Sequence, residues 1–456
     1  MKKNLLLLAP LLFSFFLGKA THNQGGEITV KQTGTLEYLA TIHTYTKASS
    51  FPADRDSLQI CWGDGMCEWV VRDTSFIVAE DLKYNSYPAS HTYSAQGTFI
   101  ISMTDPNRNG GIINIPLSDN VPFHIETMIV VNDLQNSTPI ITNNIADFAY
   151  VGEVYQHNPM AFDCDGDSLV YELMVPLKGI NEPIPNYSLP NEFPISIDNI
   201  FIINSEFGTI TWTIPQDAGL YTVAIKISEF RGDNLLSTTI RDFQITVEED
   251  ENFSPEITTN LMSDQMTLSV GDTLNIVLEG VDPDAEDLWF RAGGQPFSLN
   301  NPPSFSAPAD FQTGPISANF NWVITDDHVL FSPHYLVFRL EEQGANNIGG
   351  LTKYEVVKIS VNDSPTSTDD LSNDLNFTVF PNPISDGILN IKFEEDFLNQ
   401  KTSVEILSLD GKVLLQKSLN IFDRNQTIDV SSIISGNYIV KITSANQGNA
   451  TMIYIK

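Results

Sequence analysis

The sequence predicts an all-β protein: serial immunoglobulin-like β-sandwich domains followed by a small C-terminal β-sandwich. Three observations carry that prediction. First, period-two alternation recurs. Tyr221, Val223, Ile225 and Ile227 alternate with Thr222, Ala224, Lys226 and Ser228, as Leu389, Ile391 and Phe393 do with Asn390 and Lys392. Successive side chains of a strand point to opposite faces, so this is the pattern of a half-buried strand. Second, helical periodicity is nearly absent, while 25 prolines and 27 glycines punctuate the chain, which suits many turns. Third, an apolar strand running into an acidic, proline-marked hinge recurs after Val131, Val247 and Val361. Val131 to Val247 is 116 residues and Val247 to Val361 is 114, the size of one sandwich.

The elements follow in order. Lys2 and Lys3 precede an apolar run from Leu5 to Leu17, and Gly18-Lys19-Ala20 supplies small residues at −3 and −1. This reads as a secretory signal over residues 1–20, cleaved after Ala20. As a helix the run would span only about 20 Å, short of a ~30 Å hydrocarbon core. No later stretch approaches 18 apolar residues, so no transmembrane segment is expected in the mature chain. Three sandwich modules then occupy 21–133, 134–250 and 251–363. A Ser/Thr/Asp linker over 364–374 leads to a fourth unit, 375–456. With 24 basic against 57 acidic residues the chain carries a net charge of −33. Phosphate backbones and anionic lipid surfaces are repelled by such a chain, so nucleic acid is excluded as a partner.

In the first module, Gly63-Asp64-Gly65 reads as a hairpin loop, glycine supplying the positive-φ positions. A three-residue loop there places Cys61 opposite Cys67, close enough for a disulfide in an oxidising compartment; two reduced structural thiols are the alternative. His91 reads as a packing and hydrogen-bonding residue, since no nucleophile can be named beside it. The second module contains Asp163-Cys164-Asp165-Gly166-Asp167. Carboxylates at Asp163, Asp165 and Asp167 with an intervening glycine suit a Ca²⁺ loop, because calcium prefers several anionic oxygens. Position 12 of an EF-hand would fall on Met174, so that motif is ruled out, and a solvated turn is the alternative. Asp282-Pro283-Asp284 with Glu286 and Asp287 is a looser echo in the third module. Arg231-Gly232-Asp233 reads as a hairpin turn rather than a recognition tripeptide.

Several of these motifs resemble known families. Trp62-Gly63-Asp64-Gly65 with His91-Thr92-Tyr93 and Gly97-Thr98-Phe99 resembles the PKD-type β-sandwich, in a shortened form. The acidic loop, Gly208-Thr209-Ile210-Thr211-Trp212 and Gly219-Leu220-Tyr221-Thr222-Val223 resemble cadherin-like and immunoglobulin-like repeats of bacterial surface proteins, in particular gliding-motility-associated proteins of the Bacteroidota. Over 375–456, Pro381-Asn382-Pro383, Asp410-Gly411-Lys412, Gly436-Asn437-Tyr438 and the terminal Lys456 resemble the type A C-terminal sorting domain of the type IX secretion system. That resemblance implies recognition by the type IX translocon, passage through the periplasm, and delivery to the outer-membrane cell surface or the medium, usually with removal of the sorting domain.

The resulting expectation is a non-enzymatic adhesin or binding protein, its loops offered to a glycan or protein ligand. The alternative is a secreted peptidase or glycosidase with sandwich accessory modules. His-Glu-x-x-His and Gly-x-Ser-x-Gly are absent from the sequence, which weighs against the hydrolase.

Overall fold

Strands dominate the structure, a computed structural model that describes every residue except 1–22, 51–53, 80, 146–147, 194–196, 250, 345–349, 364–376, 394–400, 409–411, 422 and 445–446. The expected signal segment, the linker 364–374, and Asp410 and Gly411 of the sorting motif therefore lie outside the described residues. The chain divides into two units, Met1–Asp363 and Ser364–Lys456.

In the first unit one sheet runs across the expected boundary at 133/134. Its long strand Asn234–Glu248 pairs with Gly219–Arg231 of the second module and also with Phe123–Val131 of the first. The strand Asn23–Gly34 meets it too, at Gly25 and Gly26. Gly25 permits that approach, since a Cβ on it would lie 2.7 Å from the Asp242 carbonyl oxygen, while one on Gly26 would lie 2.4 Å from the His43 carbonyl oxygen of the strand Glu37–Lys47 on the other side. Backbone comes closer there than any side chain allows.

The first two modules keep separate cores, around Trp62, Ile42 and Phe123 and around Trp212, Tyr221 and Phe243. Between them lies a buried charge pair. Arg108 donates to both Asp242 carboxylate oxygens, at 2.9 and 2.5 Å, and to the Leu177 carbonyl at 3.0 Å. The third module is a sandwich of a four-stranded and a five-stranded sheet. Its strands Thr273–Val281 and Ile316–Val323 bury every second residue, as one-sided strands must. Asn143 ties this module to the second: its carbonyl accepts from Arg241, its side-chain oxygen from Arg339, and its amide donates to the Tyr354 hydroxyl.

Among the described residues the second unit packs a three-stranded sheet against a four-stranded one, around Leu389, Ile391, Val404, Ile406, Val440 and Ile442. Among the described residues no helix is long and apolar enough to cross a membrane.

Candidate metal centre

The acidic loop precedes the strand Ser168–Met174 and folds around Asp163. Asp163 Oδ1 accepts the backbone N–H groups of Asp165 and Asp167, at 2.8 and 3.0 Å. An Asp side chain that binds backbone two and four residues on winds the chain into a tight loop. Gly166 takes the position with φ of 86°, where an L-residue is strained. A Cβ there would also stand 2.3 Å from the Phe331 ring. The loop is further pinned by Gln295, whose Nε2 donates to the Asp163 carbonyl at 3.1 Å.

The three aspartates separate. Asp163 points inward and is 3% exposed. Asp165 turns away, its carboxylate accepting the Ser137 N–H at 2.8 Å. Asp167 faces Arg231, which donates to both its oxygens at 2.7 and 2.6 Å. The place expected for Asp165 is filled by Glu229. Asp163, Asp167 and Glu229 each offer an oxygen, and these lie within 4.8 Å of one another. Glu229 is fully buried; one of its oxygens accepts the Ser237 hydroxyl and the other has no partner, nor has Asp163 Oδ2. Burial pushes the Glu229 carboxyl up to about 9, with the Asp163 charge adding to it. Burial likewise raises Asp163 to about 6.

Local spacing does not find Glu229, which comes from the strand Gly219–Arg231 and pairs with Leu169. A signal is nonetheless present in the sequence. Tyr221, Val223, Ile225 and Ile227 form the buried row of that strand, and Glu229 is the next residue of the row. An acid at an inward position calls for a partner.

Two buried carboxylate oxygens without hydrogen bonds, in an all-oxygen cluster, fit a hard divalent cation. Asp163, Asp167 and Glu229 would hold Ca²⁺, which would supply the positive charge that Asp163 and Glu229 lack, Asp167 being paired with Arg231. A cavity of about 270 Å³, lined by Asp163, Asp167, Arg231, Phe331 and Tyr335 among others, adjoins the cluster.

The other singled-out residues have structural surroundings. Cys61 pairs with Cys67 across the hairpin and is disulfide-bonded to it, with Cα atoms 4.1 Å apart. His91 stacks on Trp62 at 4.6 Å and contacts Asp64 through Nε2 at 2.7 Å. Arg231 pairs with Asn234 at the end of a hairpin, and its guanidinium is committed to Asp167. In the second unit, Asn382 Oδ1 accepts the Tyr454 N–H at 2.9 Å, beside Pro381 and Pro383. The Ile384 carbonyl accepts the N–H of Lys456 at 2.8 Å. Gly436 opens the strand Gly436–Ser444, and the buried Tyr438 donates its hydroxyl to the Ile434 carbonyl at 2.8 Å.

The architecture defines a multi-sandwich β-protein with a separately cored C-terminal unit. Residues 378–456 of that unit match the family described as "Secretion system C-terminal sorting domain". The chain thus carries a type IX sorting domain and is delivered to the cell surface or the extracellular space. No curated protein matches the chain. Among solved structures, a chimeric titin Z1Z2-Z1Z2 tandem carrying a fibronectin-derived GRGDS peptide is similar at 10% identity, covering 49% of this chain and 100% of its own, with a TM-score of 0.17. The fibronectin(III)-like modules of Clostridium thermocellum CbhA match at 9% identity, covering 50% and 95%, with a TM-score of 0.16. The Dpr2 Ig1-Ig2 complex with DIP-Theta Ig1-Ig3 matches at 9%, covering 75% and 100%, also at 0.16.

Proposed function

We propose that the exported chain is a non-enzymatic surface-binding protein. Its first module carries the ligand face and its second holds a structural calcium ion. The observation behind the ligand face is a set of exposed apolar side chains on Cys67–Val71 and on the next strand in sequence, Thr74–Ala79. Trp69, Val71, Phe76 and Ile77 are each between 52% and 71% exposed there. Trp69 and Val71, two residues apart, share one face of their strand, and large exposed apolar groups side by side favour an interaction site over a random surface. The Cys61–Cys67 disulfide holds the hairpin that presents Trp69, so little ordering is left to be done on binding.

A neutral glycan suits this face best. A flat exposed indole can stack on a sugar ring, and Gln59, opposite Trp69 in the register, offers an amide to hydroxyl groups. The net charge of −33 disfavours anionic partners. The test is to present the purified full chain to polysaccharide and peptide panels, with turnover followed alongside binding. Saturable glycan binding without turnover, weakened at least tenfold in Trp69→Ala, is the expected result. Turnover would replace this reading with the secreted hydrolase, and binding to peptides alone would move the ligand class to protein.

A further inference from the structure

The third module repeats the loop and the strand pairing of the second module's cradle, on a sequence that hardly advertises it. Asp163 lies six residues before Leu169, and Asp282 lies six before Leu288. Asp282 Oδ1 accepts the N–H groups of Asp284 and Glu286, at 2.8 and 3.0 Å, as Asp163 accepts those of Asp165 and Asp167. Asp284 accepts the Phe253 N–H at 2.7 Å, just as Asp165 accepts that of Ser137. Leu288 pairs with Glu342 across the sheet, where Leu169 pairs with Glu229. Glu342, too, extends a buried apolar row, that of Leu336, Phe338 and Leu340. Its carboxyl faces Asp282.

The two cradles differ in charge. In the second module Arg231, two residues beyond Glu229, neutralises Asp167. Two residues beyond Glu342 the chain has Gly344. Among the described residues no lysine or arginine pairs with Asp282, Glu286 or Glu342. One buried oxygen of each of these three acids is without a hydrogen bond, Oδ2 of Asp282 and Oε2 of Glu286 and Glu342. Glu342 itself is fully buried, its other oxygen taking the Leu351 N–H at 2.6 Å and the Asn252 amide. Buried carboxylate oxygens left without hydrogen bonds require a cation or protons, although these three do not draw together as closely as Asp163, Asp167 and Glu229 do.

We propose that Asp282, Glu286 and Glu342 form a second calcium site, and that it is the tighter of the two. The ranking, though not the site itself, rests on the calcium reading of the first cradle. Affinity for calcium grows with the number of uncompensated anionic ligands. The third module offers three, whereas in the second an arginine already occupies one.

The test is calorimetric titration of the calcium-stripped full chain with calcium chloride alone. Two binding phases at least about tenfold apart in Kd are expected. Glu342→Gln should remove the tight phase and spare the weak one, while Glu229→Gln should do the reverse. Arg231→Gln should tighten the weak phase toward the strong. Circular dichroism of each calcium-free variant checks folding, and Glu286→Gln, at a half-buried position, decides the matter if Glu342→Gln does not fold. A single phase lost in Glu342→Gln but retained in Glu229→Gln would uphold this site and remove the first one. Loss in Glu229→Gln alone would leave the first and overturn the second. A tight phase that survives both Glu342→Gln and Glu286→Gln, or no calcium uptake at all, overturns the proposal.

Discussion

Ala285 and Gly166 occupy the same place in the two cradle loops, with φ of 61° and 86°. An L-residue in the left-handed region costs about 1–2 kcal/mol, and glycine escapes that cost while losing more entropy on folding. Ala285→Gly should therefore stabilise the protein by about 0.5–1 kcal/mol net, read as a higher urea midpoint at unchanged slope. A lower midpoint would show that the loop carries no strain at that residue. The buried acids make a second prediction at this scale. Glu229 and Glu342 are each raised to about 9 and Asp163 to about 6, all by burial first. A raised folded-state pKa means that stability from these groups is full below the unfolded values near 4 and is lost as pH rises toward 9. In EDTA the melting temperature should thus fall between pH 5 and pH 9. Calcium needs the ionised acids, so its stabilisation should grow over the same range. A calcium-EDTA difference that stays constant with pH would refute this, and so would a cradle indifferent to calcium at pH 8. Of these residues Asp163 was legible in the sequence, because its partners Asp165 and Asp167 are neighbours in the chain. Glu229 and Glu342 were not legible from loop spacing, since they reach their cradles through strand pairing, and only their place at the end of a buried apolar row marked them.

Between elements, the decisive contacts are polar and join distant parts of the chain. Arg108 comes from the loop after the strand Gly97–Asp105, and Asp242 from the strand Asn234–Glu248; each side chain is 1% exposed. Removing one partner of a buried ion pair leaves an uncompensated charge and costs about 3–5 kcal/mol. Asp242→Ala should lose that much in urea unfolding, whereas the double variant Arg108→Met, Asp242→Leu should recover most of it. A loss below about 1 kcal/mol in the single variant would mean that water reaches the site. Individual strands were readable from alternation, among them Tyr221 to Ile227 and Leu389 to Phe393. What alternation does not carry is which edges meet. Asn234–Glu248 alternates like any sandwich strand, yet while nearly all of it, Asn234 to Val247, pairs with its own module, Ser237, Thr238 and Thr239 also pair with Phe123–Val131. The paired glycines at 25 and 26 mark the close approach, but nothing in their immediate neighbours names Asp242 and Phe243 as the backbone they meet.

At the scale of the whole molecule the chain separates into a body and an address. Every residue of the last core cluster lies between Phe377 and Ile455, so residues 364–456 have what an independent domain needs. The terminal strand Gln447–Ile455 is sealed by Gly436–Ser444 on one side and by the Ile384 bridge on the other. Lys456 joins the same fold, its N–H donating to the Ile384 carbonyl, and the expected outcome is that export requires the sandwich to be intact. A chain ending at Ser364 should fold, with calcium response and glycan binding unchanged, and accumulate in the periplasm. Residues 365–456 fused to a fluorescent protein should carry it to the surface of a type IX-competent host. Tyr438→Ala empties a buried site and removes a hydrogen bond, a loss of about 3–5 kcal/mol, enough to unfold a small sandwich and to strand the fusion inside. Cell fractionation decides among these outcomes. Surface delivery of the truncated chain would show a second export signal upstream, and delivery of an unfolded Tyr438→Ala fusion would show that the translocon reads linear sequence instead of the folded unit. A mature chain that keeps the sorting domain would bear only on its removal, leaving the address in place.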